Sequence, residues 1–125
     1  VDGHALIQTV TDTAMGMPSA TRTFPFGPNY EVFKVVDKVF AMLTEVRGND
    51  VVTLKCEPPY AQALARDYVE ITPGYHMNKR HWISICPGER ITADLVEDLI
   101  VNAYHLVVAG LPRKRRPAPP VADDH

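Results

Sequence analysis

Only two of the 125 residues are cysteine, Cys56 and Cys86, and both sit in apolar, strand-like runs. Two isolated cysteines build no disulfide framework. With no CxxC, no HExxH and no histidines paired at i and i+4, the chain also lacks the usual zinc patterns. No segment approaches 18 consecutive apolar residues, so no membrane span is expected. The visible start, "VDGHALIQTV", has neither the basic stretch nor the long apolar run of a secretory signal. A cytoplasmic protein with reduced thiols and no membrane partner is therefore expected. Gly27, Gly48, Gly74 and Gly88 read as single turn glycines, and there is no glycine-rich phosphate cradle. Neither a nucleophile elbow nor paired loop carboxylates occur. Without a catalytic constellation the chain is expected not to be an enzyme, and no cofactor or metal is expected.

Charge of one sign is also missing. The formal balance is -2, too small to draw the whole molecule onto nucleic acid or a membrane. It is unevenly spread, however. Residues 1–111 carry 9 basic and 13 acidic side chains, whereas Arg113 to Arg116 read "RKRR". The 46% hydrophobic content over this length supports one domain with a real core. We assign it to residues 1–111. Residues 112–125 are basic, then proline-rich, without apolar periodicity, and are expected to be disordered or extended.

Periodicity then supplies the elements. Leu6, Ile7, Val10, Ala14 and Met17 are spaced for a helix capped by Asp2. The loop 19–30 follows, its phenylalanines expected to plug the edge of the core. "YEVFKVV" (30–36), "KVFAML" (38–43) and "DVVTLKC" (50–56) read as strands. A turn at Asp37-Lys38 would pair Val35 with Phe40 and Phe33 with Met42 on the core face. Val52, Leu54 and Cys56 form the core set of the third strand. A helix over 57–68 is led by Pro58 and Pro59, with Tyr60, Ala61, Leu64, Ala65 and Tyr68 as its apolar stripe. "RHWISIC" (80–86) is a strand preceded by a short one. A final helix runs from Thr92 to Ala109, burying Leu95, Leu99, Ala103, Leu106 and Val107, and Gly110 and Pro112 end it. The sum is an α+β domain, an antiparallel sheet packed with helices in the order α-β(3)-α-β(2)-α.

The densest chemistry lies in "TPGYHMNKRHW", Thr72 to Trp82. Strand periodicity puts Arg80 and Trp82 on the face away from the core, with Lys34 and Lys55 on the same face of other strands. His81 and Cys86 fall on opposite faces, which disfavours a shared metal. Cations beside a flat ring suit phosphates and bases. The candidate nucleic-acid or ligand-binding residues are therefore Lys34, Lys55, Tyr75, His76, Asn78, Lys79, Arg80, His81 and Trp82, with Arg22 able to approach from the early loop. DNA is the leading partner. The alternative is a small anionic ligand or a protein partner, with an enzyme using His76 or His81 in third place.

"FPFGPNYEVFKV", "KVFAML", "LKCEP", "TPGYHMNKRHW" and "AYHLVVAGLPRK", in this order, resemble the MmcQ/YjbR family of small bacterial proteins. The resemblance spans roughly residues 3 to 114. It implies a CyaY-like fold of the same element order, a cytoplasmic location and a DNA-binding label tied to a double-wing surface. Carried over by motif are Pro25, Phe26, Gly27, Lys34, Lys55, Tyr75, His76, Asn78, Lys79, Arg80, His81 and Trp82. Two local departures stand out. Val36-Asp37 occupies a hairpin turn where glycines are frequent, and Glu57 replaces the better helix cap aspartate.

Overall fold

A computed structural model describes residues 1–74 and 80–117. Its elements are α1 (Gly3–Met15), β1 (Ala20–Thr23), β2 (Glu31–Val35), β3 (Lys38–Val46), β4 (Asn49–Lys55), α2 (Pro58–Asp67), β5 (Ile71–Pro73), β6 (Trp82–Ile85) and α3 (Ala93–Ala109), followed by a 3-10 turn at Arg113–Arg115. All strand pairs are antiparallel, and the sheet order is β1-β2-β3-β4-β6-β5. The α+β class holds, with one strand more than expected before α2. Ala20–Thr23 is that strand, and it pairs with β2 along the sheet edge. Its "ATRT" carries no apolar alternation, because an edge strand is ordered by its neighbour's backbone groups.

The helix boundaries follow their caps. The Asp2 carboxylate accepts from Ala5 N–H and the Thr92 hydroxyl from Leu95 N–H, each satisfying a donor that the first turn leaves free. Glu57 makes no side-chain cap at α2, whose start rests on the prolines. α1 and α3 lie side by side on one face of the sheet, and α2 packs near β5. Between them sits the core: Leu6 and Val10 of α1, Phe33 and Val35 of β2, Val52 and Leu54 of β4, Ile83 and Ile85 of β6, and Leu99, Ile100, Ala103 and Tyr104 of α3. The buried stripe of α3 is thus rotated toward Val96, Ile100 and Tyr104, away from the expected Leu95 and Leu106. Tyr60 is exposed and not part of the α2 stripe, and Phe24 and Phe26 are exposed rather than plugging the core edge.

The β2–β3 hairpin corrects the expected register. Its turn is Val36-Asp37, with Val35 opposite Lys38, and both turn residues have positive φ, 48° and 64°. That is the type I′ pattern, whose twist matches a two-residue hairpin. The pairing then slips by one between Phe33 and Lys34, leaving Phe40 as an extra residue in β3. Phe33 consequently faces Ala41, and Met42 pairs with Val32 on the other side of the sheet. The bulge returns Phe40 to the core, where its ring meets Tyr104 edge-on at 5.5 Å.

A β-branched residue at positive φ is strained, and asparagine followed by glycine is the preferred I′ pair. The double variant Val36→Asn/Asp37→Gly should be more stable by about 1–2 kcal/mol. Urea unfolding should show a higher midpoint with an unchanged slope.

Candidate anion-binding site at the basic end of the sheet

The stretch that ends in Trp82 closes the β5–β6 hairpin. Pro73 lies opposite Ile83, and Gly74 N–H donates to the Trp82 carbonyl at 2.9 Å. A Cβ on Gly74 would stand 2.7 Å from Trp82 Cβ and 3.1 Å from its carbonyl carbon. Glycine is needed here for close approach of two backbones, since no side chain fits between them. Tyr75, His76, Asn78 and Lys79 lie outside the described residues. Arg80 and His81 are exposed and precede β6, so neither stands on a strand face as expected. His81 still extends the ladder, its carbonyl accepting from Cys56 N–H at 2.8 Å.

Trp82 does share the outer face with Lys55, its direct cross-strand partner. The Lys55 ammonium lies 5.8 Å from the centre of the Trp82 ring, at the outer limit of a cation–π contact. Lys34 points to the same face, opposite Val39 of β3. The face is not an open platform, however. A row in register across all six strands, Thr23, Val32, Met42, Thr53, Ser84 and Thr72, runs through its middle. Its centre is closed, with Met42 8% exposed, Val32 2%, Thr53 1% and Ser84 0%. The hydroxyls of Thr53 and Ser84 satisfy each other at 2.8 Å.

What remains accessible is the margin of that face. There Trp82 and Lys55 meet Lys38, Val39 and the end of α3 around a groove of about 380 Å³. Leu106, Val107, Gly110 and Leu111 form the helical wall. Arg80 is not in this groove. It lines a separate cleft of about 150 Å³ with Pro58, Ala61, Ala65 and Ile83 beside α2. The expected alignment of Arg80 with Lys55 and Trp82 therefore does not form. Arg22 is also elsewhere, paired with Glu31 at 3.1 Å and stacked over Phe24. Sequence reasoning missed Lys38, Gly110 and Leu111. Lys38 follows directly on the turn, a clue to its place at the end of the sheet. The helix residues gave no local sign.

Electrostatics distinguish the two ends of the sheet. Lys38 opens β3 and Lys55 ends β4, whereas Glu45 pairs with Asp50 at the far end. The strands thus set two lysines at one end and two acids at the other, with Asp37 in the turn beside Lys38 and Arg47 in the turn beside Glu45. Glu31, Glu45 and Asp50 line one hollow at the acidic end, and Asp2, Asp50 and Glu89 another. Both helices begin at that end. An added Cβ on Gly3 would meet the Asp50 carboxylate, and Gly88 and Glu89 lead into α3. Carboxylates thus lie near both helix N-termini and Arg116 caps the C-terminus of α3, as the helix dipole favours, while the last turn of α1 carries no basic residue. Beyond α3 the basic segment packs back on the helix end, and residues 118–125 of the tail lie outside the described residues. Arg113–Arg115 form a 3-10 turn, and Arg116 donates to the carbonyls of Ala109 and Leu111 at 2.9 and 3.0 Å.

Among the described residues no three His, Cys, Asp or Glu side chains are grouped to hold a metal. Cys56 is buried, and burial first and the Glu57 charge second push its thiol up to about 11. Cys86 is also raised, by burial and then by Glu70. Both thiols are protonated near neutral pH, which leaves them weak nucleophiles and weak metal ligands.

Two outcomes test this geometry. Gly74→Ala should lose about 1–3 kcal/mol of stability through overpacking against Trp82, and should shift the Trp82 emission. Because the fold favours the neutral Cys56 thiol, its contribution is complete below pH 9 and is lost as pH rises toward 11. Under reducing conditions, urea unfolding should show a fall of roughly 1–3 kcal/mol over that range. Cys56→Ala should flatten part of the slope; Tyr104, also raised by burial, acts in the same direction.

Comparison with known proteins bears on the fold and the family. The chain is 40% identical over 114 residues to the uncharacterised protein YbdF of Escherichia coli O157:H7, covering 91% of this chain and 93% of that one. It is 31% identical over 83 residues to the uncharacterised protein YjbR of Escherichia coli K12, covering 66% and 70%. A crystal structure of the Deinococcus radiodurans protein DR2400, with a DUF419 domain, superposes with a TM-score of 0.81 at 25% identity, over 95% and 94% of the two chains. A Pseudomonas syringae protein superposes with a TM-score of 0.70 at 29% identity, over 79% and 96%. The YjbR family model matches residues 15–106, which takes in every strand but leaves out the basic turn, and the chain belongs to the YjbR family.

Proposed function

We propose that this protein is a cytoplasmic nucleic-acid binding module, with DNA as its first candidate partner, and that it holds phosphates at the basic end of its sheet. One observation carries this. Lys34, Lys38 and Lys55 from three strands lie at the end of the sheet where α3 finishes, and the Arg113–Arg116 segment follows directly, so cations outnumber the acids Asp37 and Glu57 there. A local positive field of this kind attracts a polyanion even when the net charge is -2. Trp82 at the rim adds a surface for an unstacked base. Protonated thiols and the absence of a metal-ligand cluster among the described residues favour binding over catalysis. The unpaired cysteines suit a reducing compartment. No helix among the described residues is long and apolar enough to cross a membrane.

A second reading has an observation of its own. The site beside Trp82 is a groove, not a flat face, and a concave site with two lysines suits a small anionic ligand.

Labelled duplex and single-stranded DNA, titrated at several salt concentrations, test the nucleic-acid reading. On duplex, the log–log slope should be about -0.9 for each phosphate contact. Replacing Arg113, Lys114 and Arg115 together by alanine should reduce the magnitude of the slope by about 2–3. Arg116 is left in place because it caps α3. Absence of binding at low salt, or an unchanged slope in the triple variant, excludes the reading.

A further inference from the structure

Resting on the reading of the basic end as an anion-binding surface, we infer that the groove between Trp82 and the end of α3 is a site for a phosphate monoester carried on a planar heterocycle. The chemistry is that of a nucleoside monophosphate, or of the 5′-phosphorylated end of a strand.

The groove has two kinds of wall. Lys38 and Lys55 supply two ammonium groups, and among the described residues neither is in an ion pair. Two cations match a phosphate monoester, which carries about -1.5 to -2 at neutral pH, better than the single charge of a carboxylate or a bridging phosphodiester. The remaining wall is apolar: Val39, Leu106, Val107 and Leu111, with the half-buried Trp82 ring. A bare phosphate leaves that wall uncovered, and a purely apolar ligand leaves the lysines unanswered. The ligand must therefore have a flat apolar part and an anionic end. At about 380 Å³ the groove lies at the small end of the range for ligand sites, about 300–1,000 Å³. That suits one nucleotide rather than a stretch of strand. Lys55 stands 5.8 Å from the Trp82 ring centre, so a base seated by the ring places its phosphate within reach of that ammonium. Gly110 adds no side chain to the helical wall and lets a ligand approach the backbone there.

Trp82 is the sole tryptophan, so its emission reports this site alone. With excitation at the red edge of tryptophan absorption, the intact protein is titrated with AMP, adenosine, inorganic phosphate, and an oligonucleotide with or without a 5′-phosphate. AMP should quench or shift the emission saturably. Adenosine and inorganic phosphate should each bind roughly tenfold or more weakly, since each lacks one half of the recognition. Lys38→Ala and Lys55→Ala should each weaken AMP by a similar factor. Gly110→Leu fills the groove at a φ of -81°, which any residue adopts, so its melting temperature should be unchanged while the AMP response is lost. Tighter binding of the 5′-phosphorylated strand than of AMP assigns the site to strand ends, and the reverse assigns it to free nucleotide. A blunt duplex without 5′-phosphate separates the two readings. If AMP binds and this duplex does not, the groove inference stands and the nucleic-acid reading falls. An AMP response that is absent at millimolar concentration, or that persists undiminished in both Lys55→Ala and Gly110→Leu, overturns the inference.

Discussion

The extra residue at Phe40 sets much of this architecture. Without the bulge, strand alternation would send either Phe40 or Ala41 to the outer face. With it, both face the helices, and Phe40 meets the Tyr104 ring edge-on. Tyr104 is held from its other end, its hydroxyl donating to the Pro18 carbonyl at 2.6 Å. A buried phenol needs such a partner, and this one ties α3 to the segment between α1 and β1. The contact fixes where along the sheet α3 lies, and therefore where it stops. Gly110 and Leu111 emerge beside Lys38, Lys55 and Trp82 for this reason.

Polarity of charge follows from the same placement. α1 and α3 both start at the end that holds Glu45 and Asp50, and the dipole of α3 is answered at both ends, by Asp94 and by Arg116. Each exposed contact of this kind stabilises by only about 0.3–1 kcal/mol. Their larger consequence is the field. A chain with a small net charge acquires a local excess of cations beside the end of α3, and Arg116 keeps the basic turn against the helix end. The buried centre of the row on the outer face has the opposite effect. It closes the middle of that face and confines accessible chemistry to the margin.

The fold was largely legible from local patterns. Both long helices were marked by their caps and their 3.6-residue spacing, and β4 by the alternation of Val52, Leu54 and Cys56. β1 was not legible, because an edge strand of threonines and an arginine owes its order to β2. The hairpin turn was placed one residue too late, so the pairing was wrong by two residues beside the turn and by one beyond the bulge. Apolar content alone does not reveal a bulge, and Val36 is a poor local signal for a left-handed turn. The Pro-Gly pair before Trp82 was legible as a turn, but the reason for the glycine, backbone contact with Trp82, needed the paired strands.

At the candidate site, alternation along each strand correctly grouped Lys34, Lys55 and Trp82, because side-chain direction in a strand is a local property. It failed for Arg80, which lies just outside β6 and turns toward α2. The sequence by itself determined the helices, most of the strands, much of the core and the identity of the aromatic and cationic groups, all of which depend on neighbours a few residues away. Only the tertiary structure decided that the outer face is closed at its centre and that Lys34, Lys38 and Lys55 meet at one end of the sheet. It alone also decided that the end of α3 completes a groove with Trp82. Those outcomes depend on packing between elements separated by up to seventy residues, where no local pattern carries the information.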